Sequence, residues 1–408
     1  MRKSLPAVIE QLLLSGLNLM INLALLATST KAEYASFVVW SSYLLLAVSV
    51  QTAVLSTPMM VEISHHDGKS QDDKLAAALW LLVPMATCVA GIATALAAWI
   101  TADLGTSDLR TLCISFGLAM AGTWLREFAR TTYVVQDRLE RSLLVSSTYA
   151  VLVVAGLATA YLLTGVLTAA TVFACLAAAA LVVSVDLVRY VRIRSSVASV
   201  RALLGQLGQH ARWATPGVVV IWLQNNAYLS IVASWGGASL TADLAAARLF
   251  VMPYLTAFAG YARPLLGRFT REIAAGQQQL ASHAALRLSL VQLVLGALLA
   301  TALMLADRWQ LGSYLGDYAA VLSIAVSWAL FAGMTAARAI WSSLGQAAKR
   351  FKLIFYACVV SATLVVLMLT APLEYSAFYP VLALTVGEAV LLVYFWRVFR
   401  RGSSLEHA

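Results

Sequence analysis

Three charged residues stand inside long apolar segments, where a charge is costly and is tolerated next to water, a partner or a ligand. Arg248 lies about nine residues into one such segment, roughly 13 Å from its outer end at 1.5 Å per helical residue. It fits two roles: a structural ion pair with Asp243, Glu10 or Glu388, or a cavity cation that meets an anionic head group. Glu388, in the middle of the last apolar segment, and Glu10, in the first, are candidate proton- or cation-coupling residues.

Amide side chains are concentrated in two of the apolar segments. One contains Gln224, Asn225 and Asn226, and the first contains Asn18 and Asn22. Asn18 and Asn22 are four residues apart and therefore share one helix face. These five amides are suited either to hydrogen bonds between helices or to recognition of a sugar.

Arg130 and Arg338 lie near the cytoplasmic ends of two further segments, as does Arg126. Arginines at such positions commonly extend their head groups to the membrane interface. The alternative is contact with an anionic substrate, so Arg130 and Arg338 join Arg248 and the five amides as candidate substrate-binding residues.

The residue types needed for catalysis or metal binding do not form a recognisable pattern. His65 and His66 stand in a polar loop, and adjacent histidines without helical spacing rarely bind one ion together. No Gly-rich phosphate-binding loop is present, so we expect no ATP hydrolysis. The four cysteines all fall in apolar runs, as small core residues do. We therefore predict neither an enzyme nor a metal or cofactor site.

The amino-acid composition indicates a membrane protein, because a water-soluble fold could not bury so much apolar surface. Of the 408 residues, 61% are hydrophobic and only 12% are charged, against about 25% charged in soluble domains. Twelve apolar runs are long enough to cross a bilayer: 6–28, 36–61, 75–100, 111–135, 143–164, 168–190, 213–235, 240–261, 285–306, 318–341, 351–371 and 377–396. We predict an all-α polytopic membrane protein, with about twelve helices in two six-helix lobes around a central cavity. The first run shows no small-residue cleavage pattern, so we expect it to remain in the protein.

The distribution of basic residues supports this count and predicts the orientation. All but four of the 28 Lys and Arg residues fall in alternate connections and the adjoining helix ends, the exceptions being Lys31, Arg110, Arg248 and Arg308. Basic residues collect on the cytoplasmic side, so we predict that both termini are cytoplasmic. The net charge of +9 is then a topology signal, and we expect no nucleic-acid partner.

The longest basic connection divides the chain. Its apolar residues have helical spacing, which is typical of an interfacial amphipathic helix. The predicted organisation is a lobe over 1–195, a cytoplasmic linker over 196–212, a second lobe over 213–401 and a tail over 402–408. A shift of 208 residues superposes Arg130 on Arg338, as an old duplication of the kind found in two-lobed transporters would.

The order of residues near the N-terminus resembles a known family. Glu10-Gln11, Ser15 and Asn18, followed by the hexapeptide AEYASF at 32–37, are similar to the start of the O-antigen flippases, polysaccharide exporters of the multidrug/oligosaccharidyl-lipid/polysaccharide superfamily. Ala35 replaces the usual glycine. The segments WLREFARTTYVVQDR at 124–138 and 245–264 also resemble the fourth and eighth spans of that family.

The resemblance implies a two-lobed transporter that moves a lipid-linked oligosaccharide from the cytoplasmic to the outer leaflet by alternating access. It implies that Arg248 meets a diphosphate head group and that the amides of spans one and seven face the sugar. Expected partners are the lipid-linked glycan, membrane lipids and other polysaccharide assembly proteins, in a bacterial inner membrane. The alternative is an ion-coupled small-molecule or drug antiporter, which needs a buried carboxylate rather than a buried cation.

Two other classes fit the sequence less well. A major-facilitator transporter would carry a Gly-Asp-Arg-Gly-Arg-like loop after span two, where this chain reads EISHHDGKSQDDK at 62–74. A glycan polymerase or ligase would have a large external loop, and the longest one expected here covers only residues 307–317.

Overall fold

A computed structural model describes residues 5–57, 59, 69–101, 108–187, 197–311, 317–318, 320–371 and 376–400. These residues form twelve α-helical segments, one of which joins two helices across a kink at Gly237, and no β-strand, which confirms the all-α prediction. The helices are α1 Leu5–Thr28, α2 Lys31–Gln51, α3 Lys69–Thr101, α4 Leu109–Val135, α5 Leu139–Thr164, α6 Ala169–Val183, α7 Val197–Leu249, α8 Met252–Ala274, α9 Gln278–Arg308, α10 Val321–Ala347, α11 Phe351–Thr370 and α12 Tyr379–Arg400.

Most of these helices are suited to a bilayer. Within the described part of the chain, nine segments are long and apolar enough to cross a membrane. The remaining three helices are shorter, as α6 is with its 15 residues, or carry several charged residues, as α4 and α8 do. A multi-pass membrane protein is therefore confirmed.

Two elements depart from a plain α-helix where the sequence predicted an uninterrupted span. Helix α2 continues into a π-helical turn, Thr52–Ser56. Helix α6 gives way to a 3₁₀ turn, Val185–Leu187, and the rest of the predicted span 168–190 lies outside the described residues.

Helix α7 contains one predicted span boundary and ends at a break that was not predicted. Gly237 interrupts the helix with φ 69° and ψ −170°, a conformation open to glycine because it has no Cβ. This interruption lies between the predicted spans 213–235 and 240–261. The prediction of one continuous span over 240–261 is wrong, because Phe250 and Val251 separate α7 from α8. Pro253 explains the break, since it cannot donate to the carbonyl of Leu249 and its ring clashes with that carbonyl.

The chain forms two compact units, 1–219 and 220–408. The division falls inside α7 rather than in the segment 196–212, whose described residues form the first turns of that helix. The predicted tail, 402–408, lies outside the described residues.

Three helix pairs recur in the two units. In the N-terminal unit α4 packs on α3 and α6, and α5 packs on α6. In the C-terminal unit α10 packs on α9 and α12, and α11 packs on α12. Each pair in the second unit is offset by six helices from a pair in the first, as expected for a structural repeat.

Aromatic packing and close glycine contacts hold these pairs together. Phe116 of α4 meets Phe173 of α6 edge-on, with ring centroids 5.1 Å apart. In the C-terminal unit Gly296 of α9 faces Gly333 of α10 so closely that a Cβ on Gly296 would lie 2.7 Å from the Gly333 Cα. Small residues permit such close approach of helices in membranes.

The turns after α4 and α10 also match. Asp137 and Lys349 both adopt positive φ, 53° and 57°. In the first turn Arg138 N–H donates to the Tyr133 carbonyl at 2.8 Å, and in the second Arg350 N–H donates to the Gly345 carbonyl at 2.9 Å. A residue in the left-handed conformation with this bond is a common way to end a helix.

Candidate functional site

Arg248 lies in the last turn of α7, immediately before the break that Pro253 produces. Its Nη1 donates to Asn226 Oδ1 at 3.4 Å and to Tyr228 Oη at 3.5 Å. Both partners lie on the part of α7 that precedes the Gly237 break, whereas Arg248 lies on the part that follows it. The guanidinium carbon lies 5.6 Å from the centre of the Trp328 ring, which α10 supplies. Weak polar contacts and an aromatic ring therefore hold the arginine in place.

The positive charge of Arg248 is not neutralised by a carboxylate among the described residues. It forms no ion pair with Asp243, the nearest acid on its own helix, and its Nε is enclosed without a hydrogen-bond partner. The carboxyl end of α7 carries a partial negative charge that favours a cation in the last turn. The Trp328 ring adds a cation–π attraction. Both effects stabilise the arginine while leaving its net charge in place.

Arg338 of α10 and Glu388 of α12 form a buried ion pair. Arg338 Nε donates to Glu388 Oε2 at 2.7 Å and its Nη2 donates to Oε1 at 3.3 Å. Gln224 of α7 donates to the same Oε1 at 3.0 Å. Glu388 is fully buried. The predicted coupling carboxylate and the predicted substrate cation therefore satisfy one another in this structure.

A second arginine–glutamate pair lies in the N-terminal unit. Arg130 Nε of α4 donates to Glu10 Oε1 of α1 at 2.5 Å. Ser142 and Ser146 of α5 donate to the same carboxylate, at 3.1 Å and 2.6 Å. Glu10 is thereby bonded to two other helices.

Arg126 and Glu127 complete this cluster. Glu127 accepts from Arg126 Nη2 at 2.5 Å and from Arg130 Nη1 at 2.6 Å. The Arg126 guanidinium lies 4.1 Å from the centre of the Tyr149 ring. With Glu10 and Arg130, the cluster contains two arginines and two glutamates, so its charges balance.

The candidate amides divide by their contacts. Asn22 is buried, donates to the Asn18 carbonyl at 2.8 Å, and accepts from Tyr34 Oη at 3.3 Å. Asn18 is exposed. Asn225 donates to the Ile221 carbonyl of its own helix at 2.9 Å. Asn22 thus joins α1 to α2, and its Nδ2 also donates to Asn18 Oδ1 at 3.5 Å.

Glu33, from the segment that resembles the exporters, has a structural contact. Its buried carboxylate accepts from the Ala169 N–H at 2.8 Å, at the start of α6. A carboxylate is favoured at this end of a helix, where backbone N–H groups lack partners. Glu33 and Tyr34 thus connect α2 to α6 and to α1.

Several residues with contacts in these clusters were not among the predicted site residues: Tyr34, Arg126, Glu127, Ser142, Ser146, Tyr149, Tyr228 and Trp328. Ser142 and Ser146 are spaced for one helix face, and Glu127 stands between two arginines in the sequence. Those patterns indicate a polar cluster but not its partner helix. Among the described residues no group of three or more His, Cys, Asp or Glu side chains could hold a metal ion, and His65 and His66 lie outside them.

Comparison with known proteins identifies the fold. No protein-family model matches the chain, and no curated protein matches it. Among solved structures it resembles the lipid II flippase MurJ in an inward closed conformation, with a TM-score of 0.71, 11% identity, and coverage of 99% of this chain and 90% of that one.

Two other solved structures are also similar to this chain. A transporter of the MOP superfamily from Pyrococcus furiosus gives a TM-score of 0.65 at 13% identity, with 100% and 96% of the two chains covered. An outward-facing multidrug resistance MATE transporter gives 0.60 at 13% identity, with the same coverage. The chain therefore has the fold of MOP-superfamily transporters, as the resemblance implied. Since both flippases and drug exporters share this fold, it does not by itself identify the substrate.

Proposed function

We propose that this protein is a membrane transporter that flips a lipid-linked oligosaccharide from the cytoplasmic to the outer leaflet by alternating access. The main observation behind the proposal is that Arg248 forms no ion pair with a carboxylate of the described residues. A phosphate-linked substrate supplies the missing negative charge. The likeness to a lipid II flippase over nearly the whole chain supports a substrate of this class.

Arginine suits such a head group because its planar guanidinium matches the geometry of phosphate oxygens. Trp328 and Tyr228 are fully buried and contact the guanidinium. We infer that Asn225 and Asn226, whose side chains are not fully buried, hydrogen-bond to the glycan. Arg130 and Arg338 are bound to carboxylates, so any contact of theirs with substrate would have to displace a glutamate.

We further propose that the protein acts in a bacterial inner membrane, with both termini in the cytoplasm. Glycans on lipid carriers are assembled on the cytoplasmic face and used outside, so we expect the protein to act between an assembly step and a polymerising or transferring step. Other polysaccharide assembly proteins are the expected partners.

The second candidate function is an ion-coupled drug antiporter, favoured by the likeness to MATE transporters. That function needs a carboxylate that can release its partner and bind a proton or cation. Glu10 and Glu388 are the candidates, and each is held by an arginine and by further hydrogen bonds. This pairing favours the flippase.

The test is a flipping assay in proteoliposomes. A fluorescent lipid-linked trisaccharide is placed in both leaflets, and a lectin added outside reports the fraction that becomes accessible. We expect Arg248→Ala to lower the initial rate by at least about tenfold, and Arg248→Lys to lose most of the activity because the forked geometry is lost. Arg287→Ala, at an exposed arginine of α9, is the matched control and should flip at the wild-type rate.

Rates are normalised to the amount of monodisperse protein in each preparation. Wild-type flipping per molecule in Arg248→Ala would refute the recognition role. Gradient-driven efflux of ethidium without any flipping, abolished by Glu388→Gln, would establish the antiporter instead.

A further inference from the structure

We propose that the C-terminal unit binds the head groups of anionic phospholipids through a basic surface at the end of the bundle where α8, α10 and α12 finish and α9 and α11 begin. Four exposed cations define this basic surface: Arg271, Lys349, Lys352 and Arg397. The inference concerns the lipids that surround the protein, so it does not depend on which substrate the protein moves.

The packing of the helix ends brings these four cations to one surface. Phe399, near the end of α12, is enclosed there: a Cβ on Gly345 of α10 would lie 2.6 Å from its ring, and Ser282 of α9 donates to its carbonyl at 3.1 Å. Phe399 belongs to an apolar cluster on which a chain neighbour of every cation packs, at most two positions away. These neighbours are Ile273 for Arg271, Ala347 for Lys349, Leu353 for Lys352 and Val398 for Arg397.

The acidic residues of the described C-terminal helices do not compensate this charge. In α8 to α12 the described acids are Glu272, Asp307 and Glu388. Glu272 is bonded to Arg268 and Glu388 to Arg338, while Asp307 lies about 43 Å from the start of α9 at 1.5 Å per residue. None of the four cations forms an ion pair with a described carboxylate.

The repeat-related turn of the N-terminal unit has the same backbone but a different charge. The turn after α4 and the start of α5 contain two acids and two bases: Asp137, Arg138, Glu140 and Arg141. The turn after α10 and the start of α11 contain three bases and no acid: Lys349, Arg350 and Lys352. Lys349 has the positive φ that Asp137 has in the first turn. The shared turn geometry therefore does not account for the positive charge of the C-terminal unit.

The exposed face of α11 indicates that the partner of this charge is a lipid. Lys352, Tyr356 and Val360 are four residues apart and share one helix face, and Tyr356 and Val360 are 64% and 62% exposed. On a membrane helix an exposed valine faces acyl chains, and tyrosine is favoured at the level of the head groups. Lys352 lies one turn beyond Tyr356 on this face, so it meets the phosphates of the same lipids. Clusters of four or more basic residues beside a membrane helix bind anionic lipids.

Native mass spectrometry of the full-length protein measures the lipid preference. The protein in detergent is incubated with phosphatidylglycerol, which is anionic, or with phosphatidylcholine of the same acyl chains, and the bound lipids are counted at a series of lipid concentrations. We expect wild type to bind phosphatidylglycerol at least about tenfold more tightly than phosphatidylcholine. Lys349→Gln combined with Lys352→Gln should lower this preference by about tenfold or more, because each cation near a membrane surface contributes about fivefold.

Two further double variants are the controls. Arg138→Gln combined with Arg141→Gln removes two exposed arginines from the repeat-related turn and should keep the wild-type preference within about twofold, because the opposing acids already cancel that charge. Lys349→Arg combined with Lys352→Arg retains both charges and should also keep the preference. Thermal unfolding gives a second readout: phosphatidylglycerol should raise the melting temperature of wild type and of both controls more than that of the Lys→Gln variant.

An unchanged preference for phosphatidylglycerol in the Lys→Gln variant would overturn the proposal. An equal loss in the Arg138→Gln, Arg141→Gln variant would also overturn it, because any basic turn would then suffice. A Lys→Gln variant that keeps its preference for phosphatidylglycerol but no longer binds farnesyl phosphate would assign the basic surface to a lipid-linked substrate instead. Each of these results leaves the flipping assay of Arg248 variants to decide the proposed function separately.

Discussion

At the scale of single residues, the presence or absence of a carboxylate partner distinguishes arginines with a structural role from an arginine that could bind substrate. Arg130, Arg338 and Arg248 all lie in helices of a membrane protein, yet only the first two contact a carboxylate among the described residues. A buried ion pair restores neutrality inside the fold, whereas removal of one partner leaves an uncompensated charge. Arg248 already has an uncompensated charge, and this makes it the candidate for binding an external anion.

The Arg338–Glu388 pair gives a test of this distinction. We expect Glu388→Ala to destabilise the protein by about 3–5 kcal/mol, because Arg338 would remain buried and unpaired. The double variant Arg338→Met with Glu388→Leu should recover most of that loss, since both charges are removed together. Thermal unfolding of the purified variants in detergent, compared as a double-mutant cycle, measures the coupling.

The same double variant separates stability from ion coupling. If the pair is structural, the variant should retain flipping per molecule of folded protein. A folded double variant whose transport no longer responds to a proton or sodium gradient would instead assign ion coupling to the Arg338–Glu388 pair.

The sequence identified the residues of these pairs but not the pairs themselves. Glu10, Arg130, Arg338 and Glu388 were recognised because a charge within an apolar run is rare. Their partners depend on which helices become neighbours, and α1 meets α4 and α5 only in the folded chain. Ser142 and Ser146 were missed for the same reason, since a serine in an apolar helix is ordinary until its neighbour is known.

At the scale of elements, the two units repeat their turns as well as their helix pairs. Asp137 and Lys349 occupy the same position in matched turns after α4 and α10. Both residues have a Cβ and adopt the left-handed backbone conformation. This conformation costs about 1–2 kcal/mol except where a short polar side chain such as that of Asp relieves the strain. Glycine would avoid this strain at either position.

We expect Lys349→Gly to stabilise the protein by about 0.5 kcal/mol or more, because relief of the strain exceeds the added entropy of the unfolded chain. Asp137→Gly should have an effect near zero, since Asp tolerates this conformation. Lys349→Ala removes the same charge but keeps a Cβ, so it controls for electrostatics. A melting temperature that rises equally in the glycine and alanine variants would show that the charge, and not the backbone, is responsible.

The contact between α9 and α10 depends on the absence of a side chain at Gly296. An added methyl group would lie 2.7 Å from the Gly333 Cα and 3.1 Å from the Ala329 carbonyl oxygen. Backbone atoms cannot rotate away, so Gly296→Ala should force the helices apart and destabilise the protein by about 1–3 kcal/mol.

Gly91→Ala provides the matched comparison for this substitution. A methyl group on Gly91, in the middle of α3, would meet no atom within 4 Å, so helix propensity should make this variant neutral or slightly more stable. Thermal unfolding measures both variants. Similar melting temperatures for the two alanine variants would contradict a packing role for the Gly296–Gly333 contact.

The sequence was sufficient to predict the approximate number of helices, but it was less informative about where helices break. Apolar length and basic residues were sufficient for twelve elements, and the Gly236–Gly237 pair lies at a predicted boundary. The break after Leu249 was missed because the apolar pattern continues through it, although Pro253 is the local cause. That break places Arg248 at a helix end, where the carboxyl-terminal dipole favours it.

At the scale of the whole molecule, the alternation of basic connections predicts which helix ends face the cytoplasm. The turns that follow α4 and α10 contain or adjoin Arg138, Arg141, Lys349, Arg350 and Lys352. The opposite ends of α5 and α10 carry far fewer basic residues. These helices have 26 and 27 residues and are about 40 Å long at 1.5 Å per residue, enough to place their two ends on opposite sides of a bilayer.

Cysteine labelling tests this orientation in both units. In a background where the four native cysteines are replaced, single cysteines are introduced at four exposed positions: Glu140 and Phe351 near the basic turns, and Val166 and Leu311 at the opposite ends of the neighbouring helices. A membrane-impermeant maleimide applied to intact cells with a permeable outer membrane should label Val166→Cys and Leu311→Cys only. Glu140→Cys and Phe351→Cys should react only after the inner membrane is opened, because the positive charges hold those turns in the cytoplasm. Labelling of Glu140→Cys or Phe351→Cys in intact cells would invert the topology of that unit, and with it the direction in which Arg248 is proposed to pass its substrate.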